Sequence, residues 1–187
     1  APKSDMILRE AGVNEMGAKR MDRAGTYFTR AIEANPTHRL SYMLRGSCYS
    51  KLGLYDKAIQ DYTKASGLEP ENYRPYESLG YNYSLKKDYD KAIPWYEKAI
   101  ALNPKSGEAY NNLGYTWFLK GNKDKALEYL NKAIEVSPAY AESYRSRAEV
   151  YESMGEFDKA LADMDHFVTL SPKDAKGREF RNRLAEK

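Results

Sequence analysis

The sequence predicts an all-α solenoid of stacked helix pairs, and three observations predict it. Prolines recur at Pro36, Pro70, Pro104, Pro138 and Pro172, a constant step of 34 residues. Ala24, Ala58, Ala92, Ala126 and Ala160 keep that step, as do Gly12, Gly46, Gly80 and Gly114, with Ala148 in the fifth place. Between these markers apolar residues return at helical rather than strand spacing.

The fourth unit shows what each element is made of. Tyr110, Leu113, Gly114 and Trp117 form one stripe of a first helix. Gly121-Asn122 breaks it, and Asn122 is a good N-cap for a second helix. The second helix carries Ala126, Leu130, Ala133 and Ile134, and Asn103-Pro104 and Ser137-Pro138 close the unit at either end. A glycine inside a helix costs about 1 kcal/mol relative to alanine. Its return at Gly80 and Gly114 therefore signals the close approach of another helix. The register divides the chain into a leader, 1–4, and five units, 5–38, 39–72, 73–106, 107–140 and 141–174. A C-terminal capping helix, 175–187, completes it. In that helix Phe180 and Leu184 are expected to face the array, and Arg178, Arg181 and Arg183 water. The first unit is degenerate, with Leu8 and Glu15 where tyrosines stand later. The fifth has Arg147 for the usual leucine and Phe167 for the usual alanine. Terminal repeats commonly depart in this way.

These residues strongly resemble the tetratricopeptide-repeat family. The third unit matches its pattern with Tyr76, Leu79, Gly80, Tyr83, Ala92, Tyr96, Ala99 and Pro104. The second matches with Tyr42, Gly46, Tyr49, Ala58, Tyr62, Ala65 and Pro70. The likeness runs over roughly residues 5–174. It implies a right-handed α-solenoid of helix-turn-helix repeats that binds proteins, and it is nearly silent on which ones, because the motif residues are packing residues.

Composition narrows the alternatives. The chain has 187 residues, 42% hydrophobic and 30% charged, with a net charge of +3. No basic tract dominates, which argues against nucleic acid as the partner. A single cysteine, Cys48, rules out an intrachain disulfide. No apolar run approaches the roughly 20 residues of a membrane helix, so no membrane insertion is expected. The start at Ala1-Pro2-Lys3 leaves a cytoplasmic location open and, if Ala1 is a processed terminus, a periplasmic or secreted one.

The binding residues follow from helical geometry. At about 100° per residue the first-helix packing stripe occupies one side. Asn111, Tyr115 and Phe118 fall nearly opposite it, on the side that the resemblance marks as the concave, ligand-bearing groove. Three rows cross the units there: Arg9, Met43, Glu77, Asn111, Arg145; Val13, Ser47, Tyr81, Tyr115, Glu149; and Met6, Leu40, Arg74, Glu108, Glu142. The groove candidates are thus Met43, Ser47, Arg74, Glu77, Tyr81, Asn111, Asn112, Tyr115, Phe118, Arg145 and Glu149. The first two units are apolar along these rows and the fifth is acidic, through Glu142, Glu149 and Glu152. A segment apolar at one end and basic at the other would suit them. Asn112 matches a family position where the amide can hydrogen-bond a bound peptide backbone. The family's carboxylate clamp for chaperone tails is not matched: its positions hold Arg9, Val13, Leu44, Arg74 and Ser78 in the first three units. The fifth unit carries 4 basic and 8 acidic residues and the tail 5 basic and 2 acidic; the expected reading is ordinary solvated faces, and the alternative is a tail that lies beside that unit.

Other candidates carry less. Eleven of the seventeen tyrosines fall on packing positions. His38 and His166 are the only histidines, and no phosphate-binding, metalloprotease or CxxC motif occurs, so no enzyme, metal or cofactor is expected. Cys48 reads as buried and inert. The "NYS" sequon at Asn82 lies inside a packed helix. Pro94, Trp95 and Tyr129 mark a possible convex contact. The reading is a non-enzymatic scaffold or adaptor that binds a protein or peptide segment. The alternative is a self-associating subunit of a larger assembly.

Overall fold

The computed structural model describes residues 2–187, with side chains from Ser4 onward; Ala1, the first residue of the expected leader, lies outside the described residues. The described chain forms two compact units. Unit 1, up to Leu102, holds α1 (Pro2–Gly17), α2 (Met21–Ala34), α3 (Arg39–Lys51), α4 (Tyr55–Leu68), α5 (Tyr73–Leu85) and α6 (Tyr89–Leu102). Unit 2, from Asn103, holds α7 (Gly107–Leu119), α8 (Lys123–Val136), α9 (Ala141–Met154), α10 (Phe157–Leu170) and α11 (Ala175–Ala185). No strand occurs among the described residues. Residues 2–4 are helical rather than a separate leader. A proline suits the first helical position, because the N–H it lacks has no partner there anyway.

Within each unit every helix packs on its neighbour in the chain. The turn inside each pair reverses through a left-handed residue, again 34 positions apart: Lys19 (φ 59°), Gly53 (73°), Lys87 (62°), Gly121 (93°) and Gly155 (80°). Two lysines thus hold a conformation that suits glycine. Several helices begin on side-chain caps. Asn72 accepts from Arg74 N–H, Ser106 from Ala109 N–H, Asn122 from Lys125 N–H and Asp174 from Gly177 N–H.

The repeated tyrosine has a specific task. The hydroxyls of Tyr42, Tyr76 and Tyr144 each donate to the carbonyl of the proline six residues earlier, Pro36, Pro70 and Pro138, at 3.1 Å. Each ring fills the core while its hydroxyl satisfies a loop carbonyl, which phenylalanine could not do. The repeated glycine makes room for a large residue of the second helix. A Cβ on Gly80 would lie 2.8 Å from the Tyr96 ring, and one on Gly46 2.9 Å from Tyr62. In the fourth pair the neighbour is Leu130, at 2.8 Å, and in the fifth, Ala148 sits in one core cluster with the slimmer Met164.

The departures in the fifth pair are compensated. Arg147 forms a two-pronged ion pair with the buried Asp163, at 2.6 and 2.8 Å. Sixteen residues separate them, as they separate Arg45 and Asp61, which pair at 2.7 and 2.9 Å. The third and fourth pairs have Leu79 with Trp95 and Leu113 with Tyr129 at the same positions. Phe167, where the other pairs have alanine, is accommodated by Gly177 of α11. A Cβ there would come within 2.7 Å of Phe167 Cδ1 and closer still to Cε1.

Helix α11 buries Leu184 and half-buries Phe180. Its arginines do not simply face water. Arg181 pairs with Asp165 at 2.8 Å, Arg183 and Lys187 both pair with Glu152 at 3.0 and 2.8 Å, and Arg178 reaches the Pro172 carbonyl. The acidic surface of the fifth pair thus carries the basic tail.

Candidate binding surface

In unit 1 the predicted residues sit on α3 and α5. Tyr81 is 48% exposed, and Arg74 is exposed as well. Glu77 and Ser47 are half-buried. Met43 packs against the core cluster around Tyr62, Tyr76 and Leu79, so much of its surface is already used. At the beginning of the chain, Met6, Val13, Leu40 and Leu44 line a shallow cavity of about 250 Å³ with Arg9, Glu10 and Asn14. This is the apolar surface expected of the first two pairs, and α1 and α3 build it.

In unit 2 the predicted residues sit on α7 and α9, which touch each other directly. Asn111 departs from its expected place on an open groove wall: it is only 6% exposed. Its amide nitrogen donates to Asn112 Oδ1 at 3.3 Å, and its own Oδ1 is buried without a partner. Rotation alone does not separate it from its neighbours, since Phe118 and Tyr115 lie on either side of it around α7 and stay half-buried, as does Asn112. The Tyr115 hydroxyl donates to Glu149 Oε2 at 2.9 Å, and its ring meets Phe118 with centroids 5.8 Å apart. Arg145 pairs with Glu142 at 2.5 Å.

A cavity of about 1010 Å³ opens beside these side chains. Phe118, Arg145, Glu149 and Glu152 form one wall, and Lys176, Glu179, Phe180, Arg183 and Lys187 of the C-terminal segment the other. The sequence placed α11 as a cap and overlooked it as a wall. The available signal was its basic charge facing an acidic pair. All three carboxylates expected to attract a basic ligand are already engaged: Glu142 by Arg145, Glu149 by the Tyr115 hydroxyl, and Glu152 by two cations.

The remaining candidates resolve as packing. Cys48 is fully buried, and burial pushes its thiol up to about 11. Asn82 is 1% exposed and donates to the Ser78 carbonyl, inaccessible to a glycosyl transferase. Trp95 stacks on Tyr76 at 6.0 Å, while Pro94 stays exposed. His38 occupies the N-cap position of α3, and its ring nitrogen lies 3.1 Å from Ser41 Oγ; burial, reinforced by the nearby Arg9, holds its pKa below the ordinary value. Among the described residues, no group of three or more acidic, histidine or cysteine side chains is placed to hold a metal ion. No helix among them is long and apolar enough to cross a membrane.

Comparison with known proteins points one way. Tetratricopeptide-repeat models match residues 40–72, 80–121, 107–140 and 141–174. No curated protein sequence matches. Among solved structures, the chain is similar to MamA at 27% identity and a TM-score of 0.73, over 88% of this chain and 96% of that one. It is similar to TTC0263, a thermophilic protein of Thermus thermophilus, at 25% identity and a TM-score of 0.83, over 98% and 100%. The likeness to PilW, a type IV pilus biogenesis factor, is one of fold alone: 17% identity and a TM-score of 0.85, over 97% and 84%.

Proposed function

Because this chain belongs to the tetratricopeptide-repeat family, a fold suited to protein–protein interaction, we propose that it is a non-enzymatic scaffold that binds an extended or helical segment of a partner protein on the face of its first helices. In arrays of this family that face lines the concave groove. The observation that carries the reading is the cavity of about 1010 Å³ against α7 and α9, with Phe118 in its wall and Tyr115 alongside. Aromatic side chains supply large contact area at low entropic cost, and the half-buried Asn112 amide can hold a peptide backbone without reading side chains. Tyr81 offers a similar contact in unit 1.

A quantitative pull-down from host lysate tests this, with wild type beside a Tyr81→Ala/Tyr115→Ala/Phe118→Ala variant of equal helicity. Asn111 is left unchanged because it is buried. A partner retained by wild type and lost by the variant supports the reading. Partners held equally by both would sink it.

One observation favours self-association as a second reading. Ile7 is 60% exposed at the register position where Ser41, Pro75, Ala109, Ser143 and Gly177 are all buried. Light scattering over a concentration series tests it. A rising mass in wild type that Ile7→Glu abolishes favours assembly, and a constant monomer mass removes it.

A further inference from the structure

We propose that the cavity of unit 2 takes an acidic segment, one that carries carboxylates beside an aromatic or aliphatic side chain. This deepens the scaffold reading and rests on it. The fifth pair is strongly acidic in sequence, which predicts a basic ligand. The structure reverses that expectation through α11. Glu152 lies between Arg183 and Lys187 and is the least exposed of the three side chains, at 22% against 59% and 38%. One carboxylate is thus covered by two cations, and the outer surface of the cluster is positive. Both cations are braced as well as paired. Arg183 lies over the Phe180 ring at 4.8 Å and Lys187 over the Phe157 ring at 4.7 Å. Glu149 is turned to the Tyr115 hydroxyl, so neither α9 carboxylate in the cavity wall is without a donor.

A basic segment entering here finds one carboxylate outside these pairs, Glu179 on α11, while four cations, Arg145, Lys176, Arg183 and Lys187, line the same cavity. An acidic one meets the cations of the C-terminal segment directly, with Lys176 on the same wall. Desolvating a like charge against this wall adds a penalty for the wrong ligand, so the discrimination works in both directions. Phe118 and Phe180 supply apolar surface in the same cavity, which a purely ionic segment would leave unused.

The test is selection from a displayed library of short random peptides on the full chain. Three baits are used: wild type, Tyr115→Ala/Phe118→Ala, and Lys176→Glu. Lys176 is exposed, so its reversal leaves the packing intact. The proposal expects wild type to enrich acidic peptides with an aromatic or aliphatic residue, and the aromatic variant to lose them. For a selected peptide, Lys176→Glu should weaken binding about twofold to fivefold, the scale of one exposed ion pair. Raising the salt should weaken wild type as well. Enrichment of basic or uncharged peptides that the aromatic variant loses overturns the acidic assignment and leaves the scaffold reading standing. Enrichment that the aromatic variant retains, or none on any bait, overturns both. A selected peptide that binds Lys176→Glu as tightly as wild type also overturns the assignment.

Discussion

Substituting Gly177 by alanine should loosen α11, although alanine is the better helix former. Gly177 lies in the first turn of α11, and its N–H is capped by Asp174 at 2.8 Å. Helix propensity alone favours alanine by at most about 1 kcal/mol. Against that, the new Cβ would sit 2.7 Å from Phe167 Cδ1 and closer to Cε1, where carbon atoms rest at about 3.5–4.0 Å. Phe167 is fully buried among Tyr144, Ala148, Ala160, Met164 and Leu184, so its ring has little room to move. Overpacking of this kind costs about 1–3 kcal/mol, and the net loss is about 1–2 kcal/mol. It should fall on α11 as local opening rather than on the whole chain. Hydrogen exchange of the α11 amides, beside a urea titration, measures it. The diagnostic arm is the Phe167→Ala background, which restores the alanine present at 31, 65, 99 and 133. That change alone costs about 3–5 kcal/mol. In that background Gly177→Ala should become neutral or stabilising, a reversal of sign. A Gly177→Ala protein with α11 better protected than wild type would refute the close-fit argument.

Further predictions rest on the same geometry. Lys87→Gly should stabilise by about 0.5–1 kcal/mol in urea, because relief of the left-handed strain exceeds the added chain entropy; a loss of stability would show that Lys87 is not strained. Arg147→Leu should destabilise by about 2–3 kcal/mol, since it strands the buried Asp163. Adding Asp163→Tyr, which copies Leu113 and Tyr129 of the pair before, should recover most of it, as a double-mutant cycle would show. His38 has its pKa lowered on folding, so the unfolded chain takes up the proton more readily. The stability it contributes is complete above about 6.5 and is lost as pH falls below that value toward its folded pKa. Urea midpoints measured between pH 8 and 5 should therefore drop less in His38→Gln than in wild type.

The helix pairs were legible because their packing residues recur 34 apart and survive substitution within type. The capping helix was legible as an element through Phe180 and Leu184. Its role as a cavity wall was not, because that depends on which acidic residues its cations meet in space. Arg147 looked like a departure in sequence. Only the partner sixteen residues later, which changes with it from aromatic to aspartate, shows it to be half of an exchangeable pair. Asn111 was misplaced because rotation does not show which neighbouring helix covers a flank: Phe118 and Tyr115 lie on either side of it around α7, which α9 touches, and stay half-buried. Tyr115 and Glu149 stand one period apart in the same row, so their adjacency was legible, but the hydrogen bond that joins them was not, because a row carries no rotamer.

The most direct measurement of the central claim is site-specific photo-crosslinking of the partner. A photoreactive phenylalanine analogue replaces Tyr81 or Phe118 on the first helices, or Gln60 or Glu128 on the second, where both are exposed. The account predicts partner adducts from Tyr81 and Phe118 and none from Gln60 and Glu128. Adducts confined to Gln60 and Glu128 would contradict it.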